Sequence, residues 1–253
     1  MDHVEQVAEA LVRWRHGAAL TGAGISVDSG IPDFRSPGGL WERFDPMDYA
    51  SIDAFRRDPA RVWKMLGALD QLLQTARPNP AHLALARLER LGVLEGLVTQ
   101  NVDNLHQAAG SKRVVEFHGN GSRLRCLRCD RVEPAAVIRE LGSPPRCPTC
   151  AEVLKPDVVF FGEMIPEQAM RAAMELVQRC KVMLVVATSA TVAPASLIPL
   201  LARQNGAFVV ELNLAPTELT SSCDVAVHAS VTESLPLIAD RVEAMLEDPA
   251  KGA

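Results

Sequence analysis

The sequence lacks an excess of positive charge. Its 253 residues include 26 Lys and Arg against 31 Asp and Glu, which gives a formal net charge of -5. This balance excludes a broadly basic nucleic-acid-binding surface, although not a local basic patch. Four arginines, Arg123, Arg125, Arg128 and Arg131, form one basic stripe. We interpret the stripe as a solvated face and expect no specific nucleic-acid binding.

Long apolar runs are absent as well. The longest reach only about five to eight residues, well short of the roughly 20 that a membrane-spanning helix needs. The N-terminal residues 1–5 contain no basic segment followed by an apolar core, so they do not resemble a secretory signal. We therefore expect a cytoplasmic protein without membrane contacts. The length suffices for one large α/β domain or two small ones.

Cysteines are too few for a disulfide-stabilised small protein, but four of the six form two close pairs. The pairs are Cys126-x-x-Cys129 and Cys147-x-x-Cys150, separated by 17 residues. Two such turns supply the four thiolates of a tetrahedral zinc site, and four protein ligands make the site closed and structural. The alternative is two redox dithiols or disulfides, which a reducing cytosol disfavours. Cys180 and Cys223 adjoin apolar runs and are expected to be small core residues.

Strand and helix patterns alternate along the chain. Apolar runs predict buried strands at 18–20, 94–99, 158–161, 182–187, 207–212 and 224–227, with a further short strand before His118. Helical spacing predicts helices at 3–15, 53–75 with a break near Asp58, 81–90, 166–179, 195–204 and 232–246. Residues 31–50, rich in Pro and Gly, are predicted to form a loop. The alternation predicts an α/β fold with a Rossmann-like, doubly wound parallel sheet, interrupted by the cysteine module at 119–157.

The first predicted strand runs into a glycine turn. Its pattern, Gly22-x-Gly24-x5-Gly30, differs from the G-x-G-x-x-G fingerprint of dinucleotide sites. A glycine turn at a strand–helix junction presents backbone N–H groups to phosphates, but a tight structural turn explains the glycines equally well. The next segment, 31–36, either folds over a ligand or is an ordinary surface loop.

Polar residues follow several strands at their carboxyl ends, the edge at which open α/β sheets bind ligands. Residues 100–103 carry amide and carboxylate groups that suit a carboxamide or a ribose, and the last of them also suits a helix N-cap. Thr188-Ser189 and Asn213 follow two later strands. His118 stands at a strand end, where it is either a proton-transfer group active near pH 7 or a structural histidine.

Taken together, these motifs resemble those of the sirtuin family of NAD-dependent protein lysine deacylases, in a minimal bacterial or archaeal form. The likeness runs in order from about residue 4 to residue 246. It rests on Thr21–Ser26, Ser29–Arg35, Gly39–Trp41, Pro78–His82, Thr99–His106, Phe117–Gly119, both cysteine pairs and Lys155–Glu163.

The resemblance implies two domains. A Rossmann-type NAD-binding domain would comprise residues 1–34, 76–118 and 158–247. A small domain would combine a helical insertion, 35–75, with a zinc-ribbon insertion, 119–157, that binds one structural Zn²⁺. NAD, as co-substrate, and an acyl-lysine protein or peptide would meet in the cleft between the domains.

The resemblance also implies roles for individual residues. His118, Asn101 and Asp103 would be catalytic, with His118 as the general base on a ribose hydroxyl. NAD would contact Gly22, Ala23, Gly24, Ile25, Asp33, Phe34, Arg35 and Trp41; Gln100, Asn101, Val102, Asp103 and His118; and Ala187, Thr188, Ser189, Asn213, Leu214, Ala215 and Val231. The substrate would contact Leu66 and Leu69 and would pair as an added strand with the backbone of Val159, Phe160, Phe161, Gly162 and Glu163.

The implied reaction transfers the acyl group from lysine to ribose. The acyl oxygen attacks the ribose carbon as nicotinamide leaves, and the deprotonated ribose hydroxyl then attacks the imidate carbon. Water completes the reaction, and the final products are free lysine, nicotinamide and O-acyl-ADP-ribose. A loop closed over the site, with residues 33–35 and Trp41, would exclude water from the reactive centre. Two alternatives remain: mono-ADP-ribosyl transfer, which shares the first half of this reaction, and a non-catalytic NAD-responsive binding module. The presence of His118 favours deacylation.

Two positions depart from the family pattern, and two others bear on the choice of acyl group. The family has glycine before the Thr-Ser pair and leucine after it, where this chain has Ala187 and Ala190. We expect the extra methyl group at residue 187 to crowd the ribose. Members that remove acidic acyl groups carry Tyr and Arg where this chain has Leu66 and Leu69. Because a carboxylate buried beside these leucines would stay unpaired, we expect apolar acyl groups, acetyl and longer chains.

Overall fold

A parallel sheet of six strands forms the centre of the protein in a computed structural model, which describes residues 3–34, 36, 39–137 and 144–247. The strands of these residues are β1 Gly17–Thr21, β2 Leu94–Thr99, β3 Val114–Glu116, β4 Gly119–Cys126, β5 Val132–Pro134, β6 Leu154–Val158, β7 Val182–Val186, β8 Phe208–Asn213 and β9 Val225–His228. The sheet order is β3-β2-β1-β7-β8-β9, with every neighbouring pair parallel. The order reverses between β1 and β7, the switch point at which such sheets bind ligands. The predicted doubly wound fold is confirmed.

Helices cover both faces of this sheet. They are α1 His3–Trp14, α2 Leu40–Arg43, α3 Pro46–Tyr49, α4 Ile52–Arg57, α5 Pro59–Thr75, α6 Pro80–Arg90, α7 Leu105–Ala108, α8 Glu167–Arg179, α9 Leu197–Gln204 and α10 Val231–Glu247. On one face α1, α6 and α10 bury side chains such as Leu11, Leu85 and Ile238. On the other face α8 and α9 bury Leu176 and Ile198. Within the described ranges, no helix is long and apolar enough to cross a bilayer.

A separate core joins the helical insertion to the cysteine module. Strands β5, β4 and β6 form a three-stranded antiparallel sheet. Phe55 and Trp63 of the helical insertion pack against Leu154 of β6, and the Trp63 Nε1–H donates to the Leu154 carbonyl at 2.8 Å. This common core supports the predicted division into a small domain, 35–75 with 119–157, and a Rossmann-type remainder, which we retain as a proposal.

The apolar run Val158–Phe161 does not form a strand of the central sheet, so that prediction was wrong. Val158 ends β6, which pairs with β4. Phe160 is buried in the core of the small domain, and Phe161 makes a single bridge to Ser51. An apolar run indicates burial, but it does not specify which sheet or core buries it.

Residues 31–50 contain two short helices, α2 and α3, that the loop prediction missed. Asp45 caps α3: its side chain accepts from the Met47 N–H, and Pro46 occupies the first helical position. This combination is a helix-start signal. The high density of Pro and Gly in the segment obscured it.

Candidate active site

A cavity of about 950 Å³ opens at the carboxyl edge of the central sheet. Its wall is built by the segments that follow β1, β2, β7 and β8, which carry Gly24, Asn101, Thr188 and Asn213 respectively. The sheet therefore brings together, at its switch point, polar residues that are far apart in sequence, as the sequence predicted.

Most of the predicted site residues line this cavity. They are Ala23, Gly24, Asp33, Phe34, Trp41, Leu66, Leu69, Gln100, Asn101, Val102, His118, Val159, Phe160, Phe161, Gly162, Glu163, Ala187, Thr188, Ser189, Asn213, Leu214, Ala215 and Val231. Arg35 lies outside the described residues. Gly22, Ile25 and Asp103 stand behind the wall: Ile25 is fully buried in the core, and the other two contact residues that line the cavity or support it.

The glycine turn is shaped by close packing against the end of β7. A Cβ atom on Gly22 would lie 2.5 Å from the Thr188 Cβ, and one on Gly24 would lie 2.9 Å from the Ala187 carbonyl oxygen. The Gly22 N–H donates to Val186 and the Gly24 N–H to Ala187, so these two amides are already used within the protein. Both glycines are therefore needed for backbone contact between the two loops of the site.

His118 is a neutral base with a defined tautomer. Its Nδ1 lies 3.1 Å from the carbonyl oxygen of Gln100. Because a carbonyl only accepts, Nδ1 carries the proton and Nε2 keeps the lone pair. Burial lowers the pKa of the imidazole below its ordinary 6.5, although the hydrogen bond to Gln100 opposes that shift. The ring is therefore unprotonated near pH 7.

Gly119, the residue after His118, is required by the packing of β4 against β6. Gly119 has φ +81°, and a Cβ atom there would lie 2.1 Å from the carbonyl oxygen of Asp157. The close contact between β4 and β6 therefore requires this glycine, whereas the sequence suggested that it leaves room for a ligand.

A chain of hydrogen bonds connects the segment after β2 to the glycine turn. The Asn101 Nδ2–H donates to the Ser26 hydroxyl at 3.1 Å, and that hydroxyl donates to Asp103 Oδ2 at 2.6 Å. The other oxygen of Asp103 accepts from the Leu105 N–H, but Asn104, with φ 66° and no capping bond from its side chain, occupies the N-cap of α7, so the prediction that Asp103 is the N-cap was wrong. Asn101 and Asp103 are thus held rigidly, and Ser26, to which the sequence analysis gave no role, connects them.

Asn79 is a second residue without a predicted role. Its Nδ2 donates to the Ile25 carbonyl at 2.7 Å and to the Ser29 hydroxyl at 3.0 Å, while its Oδ1 caps α6. The buried amide thereby fixes the backbone of the glycine turn. The motif Pro78-Asn79-Pro80 is a helix-start signature, and it indicates a cap but not the loop that the cap holds.

Two neutral histidines lie beneath this network. The rings of His82 and His106 are 4.9 Å apart, and His106 Nε2 lies 2.9 Å from the hydroxyl of Thr21. Burial lowers the pKa of His82 to about 4 and that of His106 to about 3. Neither ring carries charge at neutral pH, so both support the site structurally.

The segments after β7 and β8 are tied to each other. The Asn213 Nδ2–H donates to the Thr188 carbonyl at 3.1 Å, and the Gln100 side chain donates to the Thr188 hydroxyl at 2.9 Å. Ala187 and Ala190 have φ values of 48° and 49°, the left-handed region that favours glycine. Backbone geometry, as well as space, therefore explains why the family has glycine at the position of Ala187.

Aromatic side chains line one part of the cavity. The rings of Phe34 and Trp41 stack with centroids 4.9 Å apart, and Trp41 lies 6.4 Å from Phe161. The Leu40 and Trp41 N–H groups donate to the carbonyl oxygens of Asp33 and Phe34, which ties the start of α2 to the segment before it. The stacked rings supply an apolar part of the wall, and the expected closure of this loop against water stays a prediction.

The four paired cysteines gather in one cluster, which confirms the metal prediction. Their Sγ atoms all lie within 4.8 Å of one another, with separations of 3.5 Å for Cys126–Cys150 and 3.6 Å for Cys129–Cys147. A zinc–sulfur distance of about 2.3 Å gives tetrahedral edges of about 3.8 Å, whereas a disulfide needs about 2.05 Å. The cluster therefore fits one structural Zn²⁺ and excludes the disulfide alternative.

The basic stripe and the two unpaired cysteines, Cys180 and Cys223, can be compared with their predictions through their contacts and burial. Arg123 and Arg125 share the carboxylate of Asp157, and Arg131 pairs with Glu133, so much of the basic stripe is neutralised within the ribbon. Cys180 is buried in the core as predicted. Cys223 is only half-buried at the edge of the same core.

Comparison with known proteins gives consistent matches. Residues 22–194 match the model of the Sir2 family. The chain is 46% identical over 244 residues to NAD-dependent protein deacylase 2 of Pyrobaculum aerophilum, covering 95% of this chain and 96% of that protein. A mutant Sir2 homologue in complex with ADP-ribose superposes with TM-score 0.94 at 39% identity, covering 98% and 99% of the two chains. A Sir2 protein bound to a myristoylated histone peptide superposes with TM-score 0.82 at 34% identity, again covering 98% and 99%.

Proposed function

This chain belongs to the Sir2 family, and we propose that it removes apolar acyl groups from lysine side chains of proteins with NAD as co-substrate. The products are free lysine, nicotinamide and O-acyl-ADP-ribose. One observation carries the proposal: a neutral histidine, His118, lines the same cavity as Asn101, whose amide donates to Ser26, which in turn donates to Asp103. A base and a polar cluster in one cleft are the parts that acyl transfer to a ribose needs.

The cavity fits NAD by chemistry as well as by volume. NAD supplies a ribose carbon activated by a good leaving group. Asn101, held by Ser26, would address the carboxamide of nicotinamide, and Asn213 with Ser189 would contact the adenosine half; all three line the cavity. Ala23 and Gly24 of the glycine turn, which also line it, would hold the pyrophosphate. Phe34 and Trp41, whose rings stack in the same wall, would cover the cofactor and exclude water.

His118 has the geometry of a general base. With Nδ1–H held by Gln100, its Nε2 is free to accept a proton from a ribose hydroxyl in the cavity. The lowered pKa keeps that nitrogen unprotonated at neutral pH. Since mono-ADP-ribosyl transfer needs no such deprotonation, this arrangement favours deacylation.

The acyl group would occupy the apolar part of the cavity. Leu66 and Leu69 of α5 line it together with Met65, Phe160 and Ile165. Among the described residues of the wall there is no lysine or arginine. An acidic acyl group would bury an unpaired carboxylate against these side chains, which is costly. Acetyl groups and longer apolar chains fit this environment.

The peptide would pair with the backbone of residues 159–163 as an added strand. This segment crosses the mouth of the cavity between β6 and the helical insertion. Recognition through the main chain leaves side-chain specificity low. The proposed partner is therefore an acyl-lysine peptide or an exposed acylated loop.

The proposal is tested by incubating the protein with an acetyl-lysine peptide, with and without NAD, while nicotinamide is quantified. We expect repeated nicotinamide release that depends on the peptide, and we expect His118→Ala to stop this turnover and the formation of deacylated peptide. The matched control is His16→Ala, an exposed histidine remote from the cavity. NAD binding without release from any acyl peptide favours the non-catalytic binding module, and ADP-ribose attached to the peptide favours ADP-ribosyl transfer.

A further inference from the structure

Lys155 is a buried ammonium group beside the cavity. Its side chain is only 4% exposed. Its Nζ donates to the carbonyl oxygens of Pro156 and Val158 and, at 2.9 Å, to Glu163 Oε2. It also lies 4.4 Å from the centre of the Phe160 ring. All three N–H groups are therefore used, although burying a charged pair is costly and rarely improves stability over apolar residues.

Glu163 bonds both to Lys155 and to the backbone of Phe160. The oxygen that accepts from Lys155 also accepts from the Phe160 N–H at 2.8 Å, and the Glu163 N–H donates back to the Phe160 carbonyl at 3.0 Å. Gly162, with φ +87°, makes the tight turn between them. The side chain of Glu163 is therefore used within its own loop, and the predicted contact of this loop with the substrate remains one of its backbone.

The same segment is connected to the base and to the small domain. The Val159 N–H donates to the His118 carbonyl at 2.8 Å. Phe161 accepts from the Ile52 N–H and donates to the Ala50 carbonyl. A displacement of the segment would therefore move the peptide-binding backbone relative to His118, and small displacements of reacting groups cost large factors in rate.

We propose that the ion pair of Lys155 with Glu163 is a positioning device, which holds residues 158–163 where a bound acyl-lysine meets the reactive ribose. Neither side chain touches the reacting atoms. The inference rests on the proposed deacylase function. The Lys155–Glu163 pair joins three points of one loop: the Val158 carbonyl, the Phe160 amide and the Glu163 carboxylate. An apolar side chain cannot make these bonds, and for this reason the charged pair is retained.

The test compares Lys155→Met, Glu163→Gln and the double variant with the parent protein. Arg131→Met is the matched control, because it breaks an ion pair with Glu133 in the same small domain, away from residues 158–163. The readouts are the Kd of an acetyl-lysine peptide by fluorescence anisotropy, the Kd of ADP-ribose by calorimetry, and kcat and KM for peptide and NAD. Thermal melting confirms that each variant is folded.

We expect each single variant to lower kcat/KM for the peptide about tenfold or more, with the Kd of ADP-ribose changed less than about twofold. The double variant should lose less than the two single losses combined, because the partners act as one unit. Arg131→Met should match the parent. If Lys155→Met does not fold, Glu163→Gln decides the question, since its amide oxygen still accepts from Phe160.

Peptide constants of a folded Glu163→Gln within about twofold of the parent would overturn the inference. So would equal losses of peptide and ADP-ribose binding, which indicate general loosening. These outcomes leave the deacylase proposal intact as long as the parent releases nicotinamide in the presence of the peptide. A parent without that activity overturns both proposals.

Discussion

The carbonyl oxygen of Gln100 fixes the tautomer of His118 by accepting from its Nδ1–H at 3.1 Å. Gln100 belongs to the segment after β2 that also carries Asn101, and its side chain is anchored on Thr188. The orientation of the base is therefore set by the segment that forms the nicotinamide side of the proposed NAD site. Changes in this segment are expected to alter proton transfer as well as binding.

The rate of deacylation should show an acid limb. Because burial lowers the pKa of His118 below 6.5, kcat/KM should stay level near neutral pH and fall as the pH drops through that lower pKa. Steady-state kinetics across the pH range measure the limb.

His82 and His106, with pKa values of about 4 and about 3, also lower stability as the pH falls below 6.5, because only the unfolded chain then binds their protons. Unfolding must therefore be followed in parallel, and an acid limb centred above pH 7 would contradict the assignment.

Replacing Ala187 by glycine should relieve a strained backbone in the proposed NAD site. Ala187 has φ 48°, and its Cβ lies against Gly24. We expect a gain in the free energy of unfolding of about 0.5–1 kcal/mol and a lower KM for NAD. Ala151→Gly is the control, since Ala151 has φ 59° in the small domain and should gain stability alone. Equal effects of the two variants on the KM for NAD would refute a local role of residue 187.

Removal of zinc should destabilise the structure of the small domain and leave the central sheet folded. Cys126 and Cys147 belong to the core that also contains Phe55 and Trp63. Loss of the metal should therefore loosen the helical insertion together with the ribbon. Metal analysis should find one zinc per chain, and hydrogen exchange after chelation should rise in 119–137 and 144–157 but not in β1 or β7. The control, Cys180→Ala, should keep its zinc. Full peptide-dependent activity in the metal-free protein would contradict this account.

Acyl selectivity should follow the side chains of α5. The parent should remove acetyl groups faster than succinyl groups, since Leu66 and Leu69 provide no partner for a carboxylate. Leu69→Arg should raise the ratio of desuccinylation to deacetylation by about tenfold or more. Leu72→Arg, at an exposed position of the same helix, is the matched control and should leave the ratio unchanged. Faster desuccinylation by the parent would show that the leucines do not select the acyl group.

Much of the fold follows from local sequence signals. The runs at 94–99 and 182–187 predict buried parallel strands, and the polar residues after them predict the position of the cavity. The cysteine spacing alone predicts the metal cluster. These features succeed because periodicity, strand-end polarity and ligand spacing are each encoded within a few residues.

What the sequence misses depends on partners that are distant along the chain. The run 158–161 is apolar, but only the tertiary structure shows that it joins β6 and the helical insertion. Asn79 can be predicted to cap α6, whereas its bond to Ile25 spans 54 residues. Lys155 and Glu163 belong to a motif that the sequence analysis singled out, but their ion pair and the burial of Lys155 become visible only in the folded loop.

The central claim is tested most directly by the products formed from NAD and an acetyl-lysine peptide. Mass spectrometry should find nicotinamide, deacetylated peptide and O-acetyl-ADP-ribose in equal amounts, and His118→Ala should form neither deacetylated peptide nor O-acetyl-ADP-ribose. A peptide that keeps its acetyl group while nicotinamide accumulates, or that acquires ADP-ribose, would contradict the assignment of this cavity to lysine deacylation.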